Sequence, residues 1–278
     1  MKATMPTIPE LFYQTVDEFN MEIGTSFSPE NVLLFTCTAE NGVDVYEQIC
    51  TAHFPRHLEE DYTTAGFIEG FAAMALLGEE TDGVLIREDV DFTLYEWHHT
   101  MLHELAHIFV SRNEISGNEL FYDKYCLHSD SGDIIAGYAI WRELIAEIIA
   151  MDSDCFMGKF SIDDLQDELR FLDGNINAEN PESKIALYRL LSYLFKSEEY
   201  YTAADEDSFI LQIQNHTFLT SYESIIRLVY GQFRTDDAIK IEPEFVQELG
   251  CQYLLMLAMK RLHSCRDDKN SDGEASNE

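Results

Sequence analysis

Two histidines and a glutamate fall within five positions of one another, in the run His103-Glu104-Leu105-Ala106-His107. Positions four apart share one face of a helix, so the imidazoles of His103 and His107 can reach a single metal ion. Glu104 then projects toward the open side of that ion, where a carboxylate can take a proton from bound water. The chemistry this spacing points to is hydrolysis by metal-activated water.

A catalytic zinc takes three protein ligands and keeps one position open. The third ligand must come from an element packed across the helix face. The run Trp141-Arg142-Glu143-Leu144-Ile145-Ala146-Glu147 offers two carboxylates, thirty-six and forty positions beyond His107. Glu143 and Glu147 are four apart, hence on one helical face. One can bind the metal while the other accepts a hydrogen bond from the non-coordinating nitrogen of a ligand histidine, fixing its tautomer.

These side chains need rigid elements behind them. Thr93 and Glu96 have the spacing of a capping box, which starts a helix just before the cluster. That helix carries Leu94, Trp97, Met101, Leu102, Leu105, Ile108 and Phe109, a broad apolar face. Ahead of it, Asp82-Gly83 reads as a turn and residues 84–87 as a short strand. A second helix is expected over residues 134–151, with Asp133 as its cap. Residues 8–19 form a helical stripe and residues 32–37 a strand, while 43–52 and 62–77 fit neither pattern cleanly. Residues 111–132 read mostly as connection. Beyond residue 152 the pattern is helical, with starts at Asn180-Pro181 and Pro243, and residues 266–278 read as an acidic disordered tail.

The chain as a whole has 278 residues, 46% of them hydrophobic, enough for one sizeable core or two lobes. Its net charge of −34 repels nucleic acid and anionic membrane surfaces and favours basic partners or basic peptide substrates. The first ten residues lack the apolar run of a signal peptide, and no stretch is long enough for a membrane span. The six cysteines lack paired spacing, so they are expected as reduced, buried thiols in a cytoplasmic protein.

The segment from Thr100 to Ile108 resembles the active-site helix of zincin metallopeptidases. The segment from Glu143 to Glu147 resembles the downstream glutamate helix of their gluzincin branch. Together the two motifs and the segments around them span about seventy residues. The resemblance implies an α+β, zincin-like fold with a small N-terminal sheet, the active-site helix and a mainly helical C-terminal lobe. It implies Zn²⁺ held by His103, His107 and Glu143, with Glu104 as general base and Glu147 supporting a ligand or replacing Glu143. It also implies that the upstream strand, residues 84–87, holds an extended substrate by backbone pairing. Trp141 and Ala146 flank Glu143 as in that family. The Asn that often precedes the ligand glutamate is Arg142 here, and the gap between motifs is longer than in thermolysin-like members.

The expected organisation is a catalytic lobe over residues 1–155, a helical lobe over 156–265 and the tail over 266–278. The expected activity is cleavage of peptide or protein substrates, with Tyr122, Tyr125, His128, Tyr138 or His216 as donor to the tetrahedral intermediate. His99, one turn before His103, is a rival ligand, whereas His53, His57, His98 and His263 read as surface or core residues. Two other classes fit the same residues: a non-catalytic zincin-fold binding module, and an acidic interaction protein that occupies basic surfaces.

Overall fold

A computed structural model of the chain describes residues 6–59, 71–114, 120–153, 160–234 and 239–274. The architecture is α+β, mainly helical with one small sheet. The chain divides into two compact units, residues 1–110 with 149–157, and residues 111–148 with 158–278.

In the first unit, helix α1 (Ile8–Ile23) starts with a capping box between Thr7 and Glu10 and ends at Gly24, whose φ of 78° suits glycine. Its stripe of Leu11, Phe12, Val16 and Phe19 is buried. Strand β1 (Val32–Cys37) leads into α2 (Gly42–His53), which resolves the ambiguous stretch at 43–52 as helix. Strands β2 (Ala73–Leu76) and β3 (Asp82–Arg87) complete a sheet of order β1-β3-β2. Of the unsettled stretch at 62–77, residues 62–70 lie outside the described residues.

β3 pairs with β1 in parallel and with β2 antiparallel. Val84, Leu85 and Ile86 have no exposed surface. A strand covered on both faces reads as a continuous apolar run, which is how these residues stand in the sequence. This corrects the expectation for residues 84–87. Both edges of that strand are already paired, so it has no free backbone for a substrate. The antiparallel edge strand is β2.

Helix α3 (Leu94–Asn113) carries the histidines, and helix α4 (Gly132–Ser153) carries both candidate glutamates. Each begins in one compact unit and ends in the other. The second unit continues through α5 (Gln166–Asn175), α6 (Ser183–Phe195), α7 (Glu198–Thr202), α8 (Glu206–Ile213), α9 (Glu223–Tyr230) and α10 (Pro243–Glu274). Its core includes Leu187, Leu190, Phe195, Phe209, Tyr222 and Val246.

Gly137 of α4 and Gly250 of α10 let these two helices touch backbone to backbone. A Cβ at Gly137 would collide with the Val246 carbonyl, and one at Gly250 with the Asp133 carbonyl. Asp133 lies one residue inside the helix rather than at its cap, and it joins the same crossing. Its carboxylate accepts from Gln247 Nε2 at 3.1 Å and lies 3.3 Å from Cys251 Sγ. Those bonds, with that from Ser131 foremost, hold its pKa well below the usual carboxylate range. Cys37, Cys50 and Cys126 are buried free thiols, as expected, but Cys251 is exposed. Among the described residues no helix is long and apolar enough to cross a membrane.

Candidate metal centre

α3 starts where its cap residues require. The Thr93 backbone N–H and hydroxyl both donate to Glu96 Oε2, at 2.7 and 2.8 Å, and the Glu96 N–H returns a bond to Thr93 Oγ1 at 3.3 Å. Met101, Leu102, Leu105, Ala106 and Ile108 are fully buried, so this helix is fixed by its apolar face. Contacts to α1 reinforce it: His98 Nε2 lies 2.7 Å from Glu18 Oε2, and the Phe109 ring packs edge-on against Phe19 at 6.3 Å. His98 is thus a buried residue tied to α1 through Nε2. His99 stacks on Tyr95, one turn earlier.

One turn of helix brings His103 and His107 together. Their Nε2 atoms are 3.0 Å apart and their rings nearly perpendicular, at 87°. Two nitrogens bound tetrahedrally at 2.0–2.1 Å stand about 3.3 Å apart, so the pair is close to the spacing a zinc ion imposes. Each of His103, His107 and Glu143 offers one ligand atom, all within 4.8 Å of one another. Among the described residues this is the one group of three or more His, Cys, Asp or Glu side chains able to hold a metal ion, and neither Glu147 nor His99 is in it. Two imidazoles and a carboxylate are donors that zinc accepts.

Glu147 acts on a different neighbour. Burial works to lower the pKa of Arg189 on α6, yet Tyr193, Tyr188 and Glu147 raise it on balance. The charge of Glu147 therefore bears on a guanidinium.

Glu104 is buried, and its Oε2 accepts the Ala75 backbone N–H of β2 at 2.7 Å. Just past the end of that strand, the Leu77 N–H donates to His57 Nε2 at 3.0 Å. The carboxylate beside the proposed ligands is thus tied to β2, an edge strand of the sheet among the described residues. Tyr138 spends its hydroxyl on Glu114, 3.1 Å from Oε2. His216 Nε2 lies 3.4 Å from the Asp163 carboxylate, and the Tyr125 ring packs on Phe121.

No family model, curated protein or solved structure matches this chain.

Three features of this region escaped sequence reasoning. Glu114, in a stretch read as connection, is buried and accepts the Phe121 N–H at 2.7 Å. Burial pushes its pKa up to about 7, against the bonds from Phe121 and Tyr138 and the charge of Arg142. His57 had no partner at helical or strand spacing to reveal it. The glycines of the α4–α10 crossing had one available signal, since glycine inside a helical pattern often marks close packing.

Proposed function

We propose that this chain is a zinc-dependent peptidase with a zincin-like site of the gluzincin kind. The observation that carries this reading is the convergence of His103, His107 and Glu143 ligand atoms within 4.8 Å. Two further facts support it. Glu104 directly follows a proposed ligand histidine, and the Ala75 amide of the edge strand β2 fixes its carboxylate in place.

In this reading His103, His107 and Glu143 hold the ion, and Glu104 accepts the proton of the attacking water at a carboxylate oxygen and returns it to the leaving amine. Zinc, when bound, brings the pKa of a coordinated water near neutrality and polarises a carbonyl. Burial of Glu104 keeps bulk water from competing for that proton. The acidic surface, at −34 overall, favours substrates with basic residues.

The test is hydrolysis of casein peptides by the zinc-loaded chain and by Glu104→Gln. Loss of at least ~100-fold in rate with metal content unchanged is the expected result. Equal rates would overturn the role of Glu104.

One observation favours a second reading, a non-catalytic binding module of the same fold. Glu104 Oε2 is already engaged by the Ala75 amide, so its carboxylate also serves to fasten helix to sheet. A zinc-bound chain that binds casein peptides without cleaving them would decide for that reading.

A further inference from the structure

α10 is apolar on more than one side. Residues 253–259 are all apolar or aromatic, and successive residues turn by about 100°, so they cover every direction around the helix. One side is used within the chain. Val246, Leu249, Tyr253 and Met256 are buried, and Lys260 Nζ bonds Asp173 of α5. The opposite side is uncovered: Leu255 is 58% exposed, Met259 50% and Leu262 61%, with Leu254 at 45% on the flank. Cys251 and Ala258 are exposed among them. A surface helix normally turns polar residues away from its core face, whereas α10 carries an apolar stripe there.

The charges along that stripe have a direction. Positions 244, 248, 251, 255, 259 and 262 follow one another at spacings of three or four, hence on one helical face. Glu244 and Glu248, both exposed, stand at its N-terminal end. Glu248 Oε1 accepts the Gln252 side-chain amide at 2.7 Å, a surface bond that an incoming guanidinium can replace. In the sequence the same spacing continues past Leu262 to Arg266 and Lys269. The order is acidic, apolar, basic, and turned end for end it complements itself. Its midpoint is residue 257, equally far from Glu248 and Arg266. Residues 249–259 carry no charged side chain, although 25% of the whole chain is charged. Along this window two copies of a chain at −34 meet no like charges.

We propose that two copies of this chain pair antiparallel along this stripe of α10, about a two-fold axis near residue 257. The axis sets Leu255 of one copy against Met259 of the other, and Cys251 against the turn that holds Leu262. Ala258 lies beside the axis, where a small side chain lets the helices close in. Glu248 faces Arg266 of the second copy, and the symmetry makes that pair twice. A parallel pairing would set Glu248 on Glu248 and Arg266 on Arg266, so charge selects the antiparallel arrangement. The occupant is a second copy because the stripe suits its own reverse. The proposal does not rest on the metal centre.

The test is sedimentation of the full chain over a dilution series from ~50 μM, with reductant present so that exposed Cys251 forms no cross-link. The parent should be a dimer at the top of the series. Leu255→Glu should raise the dimer Kd by ~100-fold, because the change acts twice across the axis. Its circular dichroism should match that of the parent, which separates a lost dimer from a lost fold. Glu248→Arg and Arg266→Glu should each raise Kd by ~10-fold, and the double variant should regain the parent value. Restoration in the double variant is specific to an antiparallel pair and needs no change in the apolar stripe. A monomeric parent, whether its stripe stays bare or takes a different protein, would overturn the proposal. So would a dimer indifferent to Leu255→Glu, or a double variant no tighter than the single ones.

Discussion

Helices α3 and α4, which carry the proposed ligands, are held by opposite means. α3 is fastened by side chains: a capping box at Thr93 and Glu96, His98 on Glu18, and Glu104 on the Ala75 amide. α4 is fastened by the near absence of side chains, where Gly137 and Gly250 bring it against the backbone of α10. Polar fastenings are local and individually worth about 1 kcal/mol, so α3 can lose one and keep its course. A backbone crossing has no slack, because any added atom must move a whole helix. The contrast fits the ligands each helix supplies. His103 and His107 are placed relative to each other by one helical turn, whereas Glu143 depends on where the entire α4 lies.

This difference can be broken most forcefully at the crossing. Gly137→Leu or Gly250→Leu should destabilise the chain by about 3 kcal/mol or more in urea denaturation. Gly132→Ala in the same helix, with nothing within 4 Å of an added Cβ, should be close to neutral. Equal effects at all three would remove the distinction between the helices.

Glu114 gives the next largest effect. Its carboxyl ionises at about 4.5 in the unfolded chain and about 7 in the folded one, because burial opposes the charge. The folded state therefore holds the proton more tightly. This contribution is full below pH 4.5 and is lost as pH rises to 7, to a total of ~3 kcal/mol at most. Stability of the parent chain relative to Glu114→Gln, followed by denaturation from pH 4 to 8, should fall across that window. A flat difference would show that Glu114 ionises alike in both states.

Smaller effects belong to α3. Glu104→Ala leaves the buried Ala75 amide without its acceptor and should cost roughly 1–3 kcal/mol, while Glu104→Gln, which keeps an acceptor, should cost less. Thr93→Ala should cost roughly 1 kcal/mol in thermal denaturation through loss of the cap. If Glu104→Ala were as stable as Glu104→Gln, the carboxylate would have no fastening role.

The sequence showed α3 clearly because its signals are local. The cap spans four residues, the histidine pair five, and the apolar face repeats within each turn. The strand at 84–87 was also legible, since a central strand is apolar throughout, but Asp82-Gly83, read as a turn, are its first two residues. Its pairing was not legible. Which strand lies at the edge depends on β2, four apolar residues with no polar alternation to read, and on a register between segments far apart in sequence. The same limit hid Glu114 and His57, whose partners Phe121, Tyr138 and Leu77 become neighbours only on folding. Exposed Cys251 escaped for a related reason: one cysteine carries no sign of the helix face it occupies. In the metal centre, Glu143 and Glu147 are equivalent by spacing. Three-dimensional placement separates them, one grouped with the histidines and the other bearing on Arg189.

That separation is also the most direct test of the account. Zinc titration monitored by calorimetry, on the parent chain, Glu143→Ala and Glu147→Ala, addresses the centre without requiring a substrate. The account predicts one zinc per chain in the parent, at least ~10-fold weaker binding in Glu143→Ala, and retained stoichiometry in Glu147→Ala. Undiminished binding in Glu143→Ala, or loss of binding in Glu147→Ala alone, would contradict it.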